Sequence, residues 1–246
     1  MNVSICMAAY NGSLFIRRQI ESILEQMNVD DELIVVDDSS KDNTLSIVLS
    51  FHDSRIRVEC NKLNLGHVQS FSKSIALAKN TYIVFADQDD VWVQGRLDRI
   101  KNSMMQTGVG LVTGNSKFIN AMDAEIAPPY YSYIAPENSQ RHAYNIFGIF
   151  IGKSPYYGCN MAINRKLLPI IMPIPSYVQC HDIWIAMAAN LMRTNLHLED
   201  VLICRRIHGD NFTNPNRPLF SKLKSRFIFS ASLVHLMLRK LRSLLG

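Results

Sequence analysis

Short apolar runs rich in Val and Ile recur through the first ninety residues, each separated from the next by a segment of helical length. The runs are VSICMAAY (3–10), ELIVVDD (32–38), RIRVEC (55–60) and TYIVFAD (81–87). Between them lie a stretch with Phe15, Ile16, Ile20, Ile23 and Leu24 on one helical face, then residues 42–52 and 66–80, also of helical pattern. Apolar runs this short, spaced by helices, indicate βαβ units and hence parallel strands. The expected fold is α/β and Rossmann-like, with a mostly parallel central sheet flanked by helices. Residues 109–120 and 198–209 add strand patterns, and residues 181–192 form a helix with Trp184, Ala188 and Leu191 at helical spacing. Residues 128–158, rich in Pro, Tyr and Gly, suggest loops and a lid. There is no internal repeat and no low-complexity linker.

The 246 residues are 48% hydrophobic and 19% charged, enough apolar material for a sizeable core. Cys6, Cys60, Cys159, Cys180 and Cys204 are odd in number and form no CxxC pair, which argues against a disulfide scaffold or a zinc site and fits a reducing compartment. The opening MNVSICMAAYNG lacks a basic leader and reads as a first strand, not a signal peptide. Charge is uneven. Residues 217–246 carry seven Lys/Arg and no Asp or Glu, so the remaining 19 basic residues face 21 acidic ones in the first 216. The net +5 is a property of the tail, which invites a polyanionic partner.

In an open α/β sheet, ligands bind beyond the carboxyl ends of the strands. Strand one ends in Tyr10-Asn11, strand two in Asp37-Asp38 and strand four in Asp87-Gln88-Asp89-Asp90. A turn or helix cap explains one such carboxylate. It does not explain three in four positions. An EF-hand loop is excluded, because Val91, Trp92 and Asp98 stand at its fifth, sixth and twelfth positions. A strand-terminal DxD suits Mg²⁺ or Mn²⁺ held together with the oxygens of a diphosphate. Neither GxGxxG nor GxxxxGK[ST] is present, so no glycine-rich loop would share that work.

In this order and spacing, SICMAAYNGSLFIRRQIESILEQ, ELIVVDDSSKDNT, NLGHVQSFSKSI, FADQDDVW, GCNMAINRKLL, HDIWIAM and RRIHGDN resemble the glycosyltransferase family 2 enzymes over about residues 3–212. The likeness is strongest to bacterial O-antigen and polysaccharide transferases of rhamnosyl and glucosyl type. The resemblance implies a GT-A fold, a nucleotide-sugar donor, a divalent metal on a DxD motif, and inversion at the anomeric carbon. Ala8, Tyr10, Asn11, Asp38, Asp87, Gln88 and Arg206 would then bind the donor, with Tyr10 and Asp38 at the nucleobase. Asp89, Asp87 and His208 would hold Mn²⁺ or Mg²⁺, and Asp182 would be the general base. Two positions depart from the family pattern. His181 replaces the frequent Glu before the base, and Phe71 falls near a basic residue of the third helix, with Lys73 offset.

A nucleoside diphosphate leaving group stabilised by a cation needs no acid, and an attacking hydroxyl needs one carboxylate base. At a helix start, Asp182 would be kept ionised by the helix dipole. Residues 1–107 would bind the nucleotide-sugar and 108–216 the acceptor. Tyr130, Tyr131, Tyr133, Tyr156 and Tyr157 either stack on sugars or pack as ordinary loop residues. Trp92 and Trp184 read as core, and His52, His142 and His197 carry no functional reading. Residues 217–246 form a basic amphipathic segment too short in its uncharged part to span a bilayer. It would either lie on an anionic membrane surface or pack on the domain with a solvated basic side. The first alternative suits an acceptor saccharide on a polyprenyl diphosphate at the inner face of a bacterial plasma membrane. The acidic body disfavours nucleic acid. Two rival readings are a non-catalytic nucleotide- or carbohydrate-binding module and a sugar nucleotidyltransferase.

Overall fold

In the computed structural model of the chain, residues 2–129, 133–153, 156–209 and 219–245 are described. The four anticipated βαβ strands are β1 (Val3–Ala9), β2 (Glu32–Asp37), β3 (Ile56–Cys60) and β4 (Tyr82–Ala86), connected by α1 (Ile16–Leu24), α2 (Thr44–Leu49) and α3 (His67–Leu77). Then follow β5 (Val91–Trp92), α4 (Arg96–Thr107), β6 (Leu111–Ile119), β7 (Glu125–Ile126), α5 (His142–Ile151), β8 (Met161–Asn164), α6 (Leu168–Ile171), α7 (His181–Leu191), β9 (Asn195–Arg206) and α8 (Leu219–Leu245).

One sheet runs in the order β3-β2-β1-β4-β8-β6-β9-β5, with β7 beside β6. Strands β3, β2, β1 and β4 are parallel, as the crossover helices require. Beyond β4 the sheet is mixed: β8 is antiparallel to both β4 and β6, while β6 and β9 are parallel to each other. The expected predominance of parallel strands therefore describes the N-terminal half. Because β8 from the later half inserts beside β4, the segments on either side of residue 107 share one sheet.

Two apolar layers cover the sheet. One joins Ile16, Ile20 and Ile23 of α1 and Leu97, Ile100 and Met104 of α4 to the strands. The other joins Phe71 and Ile75 of α3 to Ile170, Trp184, Met187 and Leu236 from α6, α7 and α8. Trp92 and Trp184 belong to these cores, as expected. Helix α4 was not foreseen, because its polar residues obscure the apolar stripe. The stretch 128–158 also contains a helix, α5, whose mean hydropathy is high and whose Gly148 does not break it.

Helix α8 packs one face on the domain and leaves another exposed. Phe229, Ser232 and Leu236 are buried on the domain. A second face leaves Leu223, Phe227, Val234, Leu238 and Leu241 exposed, Phe227 at 77%. Their spacing of four, seven, four and three residues draws one stripe along a helix. Among the described residues, no helix is long and apolar enough to cross a membrane.

Candidate functional site

Strands β1, β2, β4, β6 and β9 point the same way, so their carboxyl ends lie at one edge of the sheet. The antiparallel β8 begins there, bringing Gly158–Asn160 beside them. This convergence collects the predicted residues, and much of their hydrogen-bonding capacity goes into holding the edge together. The Gln88 side chain donates to Tyr10 O (3.0 Å) and accepts from Tyr10 N (2.9 Å), closing the end of β4 onto the end of β1. A Cβ at Gly12 would stand 2.2 Å from Gln88 Oε1, so a side chain there would push the Gln88 amide off Tyr10. Asn11 adopts φ 47° and accepts from Lys41 N at 2.8 Å, tying β1 to the loop after β2. Asp38, 3% exposed, accepts from Asn61 Nδ2, Leu65 N and Gly66 N at 2.8–2.9 Å and so shapes the loop leading into α3. Ala8 pairs with Val36 in the sheet, half-buried, and the Tyr10 ring is exposed at the rim.

The acidic triplet divides into two groups. Asp89 Oδ2 lies 2.9 Å from His208 Nε2, pairing two of the predicted metal ligands. Asp87 and Asp90 instead cluster with Cys159, their ligand atoms within 4.8 Å of one another. Asp90 is buried there and accepts from Arg206 N at 2.9 Å, with the Cys159 thiol beside its carboxylate. Burial first, and then the neighbouring carboxylates, pushes Asp87 well above its ordinary value and Asp90 up to about 6. Burial and the same carboxylates keep the Cys159 thiol protonated far above its usual range. Carboxylates crowded this closely, with a histidine paired to Asp89, are a donor set that fits a hard divalent cation.

Two arginines balance the cluster, and neither was singled out for this role from sequence. Arg96, fully buried behind it, donates to Phe85 O and Cys159 O and stacks on Trp92 at 4.3 Å. Arg205 is half-buried, its guanidinium 4.0 Å over the Tyr157 ring, and its charge opposes the upward shifts of Asp87, Asp90 and Asp182. Arg206, predicted to bind the donor, is 2% exposed and serves the scaffold. It donates to Asp89 O and Asn120 O (both 2.8 Å), pairs with Asp123 at 2.5 Å and stacks over Phe15. Strand alternation decides this exchange, because adjacent residues of β9 face opposite sides.

Asp182 stands in the first turn of α7, its Cβ 3.6 Å from where a Cβ on Gly158 would stand, and Gly158 directly precedes the Cys159 of the acidic cluster. The helix dipole does not dominate its ionisation. Burial raises the Asp182 pKa, opposed by backbone N–H groups of Ile183 and Gly158. Gly158 permits that approach: a Cβ there would meet His181 Nε2 at 2.6 Å and Asp182 Cβ at 3.6 Å. The two departures from the family pattern are in contact with each other. The His181 ring stacks on Phe71, centroids 4.0 Å apart at 26°, and lies edge-on to Phe85. Two aromatic rings therefore pack where the family pattern places oppositely charged residues.

The tyrosines separate as well. Tyr156 is buried, its hydroxyl 2.7 Å from His197 Nε2 in a polar network with Asn190, so it packs and offers no face to a sugar. Tyr157 carries Arg205, and Tyr133 is exposed. Tyr130 and Tyr131, and the Asp210-Asn211 of RRIHGDN, lie outside the described residues.

Comparison with known proteins bears on the family and the fold. WfgD of Escherichia coli, a UDP-Glc:alpha-D-GlcNAc-diphosphoundecaprenol beta-1,3-glucosyltransferase, is 36% identical over 118 residues, 48% of this chain and 47% of WfgD. The dTDP-rhamnosyl transferase RfbG of Shigella flexneri is 40% identical over 106 residues, 40% of this chain and 35% of RfbG. The chain thus covers half or less of the length of these relatives. The crystal structure of S. aureus TarS 1-349 in complex with UDP-GlcNAc superposes with a TM-score of 0.71 over 97% of this chain and 72% of that one, at 17% identity, a likeness of fold. The family described as Glycosyl transferase family 2 matches residues 4–169. Matched over well more than half its length, the chain belongs to that family.

Proposed function

We propose that this protein transfers a hexose or deoxyhexose, with inversion, from a UDP- or dTDP-sugar to a hydroxyl of a polyprenyl-diphosphate-linked saccharide in surface polysaccharide synthesis. The observation that carries this reading is the placement of Asp182 beside the Asp87–Asp90 cluster at the carboxyl edge of the sheet. The names of WfgD and RfbG support the donor and acceptor classes. Asp89, Asp87 and His208 would hold Mg²⁺ or Mn²⁺, which when bound supplies positive charge against a diphosphate. The exposed Tyr10 ring would stack on the nucleobase, while Asn11, Asp38, Gln88 and Arg206 keep the surrounding loops in register. Asp182 takes the proton of the attacking hydroxyl as the glycosyl carbon passes through an oxocarbenium-like state. Burial makes it a stronger base than an exposed aspartate, because raising the pKa strengthens its hold on the proton.

The exposed stripe of α8 would lie at a membrane surface, with Lys224 and Arg242 flanking it toward anionic headgroups. The protein would then sit peripherally on the inner face of the bacterial plasma membrane.

The test combines UDP- and dTDP-sugars, Mn²⁺ and a lipid-diphosphate sugar, with and without EDTA. Asp182→Asn is expected to lose roughly 10²–10⁴-fold in transfer while keeping metal-dependent donor binding. Loss of donor binding would make Asp182 a structural residue. Absence of both transfer and metal-dependent nucleotide binding for every donor would overturn the enzymatic reading.

A further inference from the structure

A cleft of about 590 Å³ lies between α5, α7 and α8. Its size is that of a small-molecule site. The walls are apolar: Ile149 from α5, Ile183, Trp184 and Met187 from α7, Ile228 and Phe229 from α8. Lys153, Lys222 and Arg226 also line it, and among the described residues no acidic side chain does. Apolar walls joined to a cluster of cations at one end match a molecule with a hydrocarbon body and an anionic head.

The ends of the cleft can be ordered. Ser225 and Cys180 border it and also border a neighbouring cleft of about 480 Å³ that reaches His67, so this part of α8 faces the residues just before Asp182. Lys222 and Arg226 lie within one helical turn of Ser225. Further along, His235 meets the Trp184 ring at 5.6 Å and Lys240 Nζ reaches Leu191 O at 2.8 Å, so α7 and α8 advance in the same direction. The cations therefore gather at the Asp182 end. The apolar walls run away from it, toward Met187 and Ser232.

We infer that this cleft seats the isoprenoid diphosphate of the acceptor, with the diphosphate at Lys153, Lys222 and Arg226 and the first isoprene units along Met187 and Phe229. The inference rests on the glycosyl-transfer reading above and adds the part of the acceptor that this chain grips. The sugar attached to the diphosphate then lies toward Asp182, so one helix, α7, carries the base at its start and the lipid wall along its next two turns. Elongation of a lipid-linked glycan places the reaction after the one that charges the lipid diphosphate with its first sugar.

Titration of the full chain in EDTA with farnesyl diphosphate, farnesol and inorganic pyrophosphate tests this, read by calorimetry. Farnesyl diphosphate is expected to bind roughly tenfold or more tightly than either half alone, since both ends contribute. Replacing Lys153→Gln, Lys222→Gln and Arg226→Gln together is expected to weaken farnesyl diphosphate roughly tenfold and leave farnesol unchanged, because the loss is confined to charge-assisted contacts. Ser232→Leu, which fills the far end, is expected to weaken farnesol and farnesyl diphosphate alike. Pyrophosphate binding as tightly as farnesyl diphosphate, or farnesyl diphosphate indifferent to the three glutamines, would overturn the assignment. No donor, metal or transfer enters this titration. A chain that transfers sugar but fails it loses only the cleft, and a chain that passes it but transfers nothing loses only the glycosyl-transfer reading.

Discussion

His181 offers the sharpest physical test of the site, because it is a titratable ring buried among other aromatic rings. It is 5% exposed, packed by Phe71, Phe85 and His67, and among the described residues neither ring nitrogen has a hydrogen-bonding partner. Burial, followed by the charge of His67, lowers its pKa from 6.5 to about 3. An unfolded chain takes up a proton here as pH falls through 6.5, whereas the folded chain waits until about 3. Its contribution to stability is therefore fully present above pH 6.5 and is lost as pH falls from there toward 3. Between pH 7.5 and pH 5 the loss amounts to about 2 kcal/mol, and it stays near that figure for any folded value well below 5. The matched variant is His181→Leu, similar in volume and without a titrating group. Asp87, Asp90 and Asp182 have raised pKa values, so their contributions change with pH in the opposite sense. They are common to both proteins and cancel in the difference. Urea denaturation of the two proteins at pH 7.5 and pH 5 should show the stability gap moving by about 2 kcal/mol in favour of leucine. A gap constant to within about 0.5 kcal/mol would mean that the ring finds a partner or accepts a proton in the folded state, and the packing argument would fail.

Three further outcomes are expected. Asp38→Asn turns one of the oxygens accepting loop N–H groups into a donor, so stability should fall by about 2–3 kcal/mol in denaturant titration, with weaker donor binding. Mn²⁺ at roughly a hundred times its Kd should add about 2.7 kcal/mol of stability. Thermal unfolding with and without EDTA reads that gain, which Asp89→Asn should abolish. Replacing Leu223, Phe227 and Leu238 by serine should sharply reduce sedimentation with anionic vesicles while changing stability little, since all three are exposed. Deleting α8 would be a poorer test, because it would strip Phe229 and Leu236 from the core.

The parts of the site that could be read from sequence are those set by chain direction. Asp38, Asp87 and Asp182 arrive at one edge because parallel strands deliver their carboxyl ends together and α7 begins there. Which side chains remain for a ligand was not legible, since hydrogen-bonding capacity is finite and nonlocal partners claim it. Gln88 is claimed by Tyr10, Asp38 by Asn61, Leu65 and Gly66, and Arg206 by Asn120, Asp123 and the Asp89 backbone. Arg205 and Arg206 were indistinguishable as neighbours in the chain, and the pleat of β9 separated them.

Periodicity and strand-end carboxylates alone thus determined an α/β chain with an acidic edge suited to a cation, because those signals are local and repeat along the backbone. Tertiary structure decided that Phe71 and His181 are one stacked pair and that Asp90 joins the acidic cluster. It also decided that α8 is apolar on two faces, one for the core and one left exposed. Each of these depends on contacts between residues distant in sequence, which only folding brings within reach.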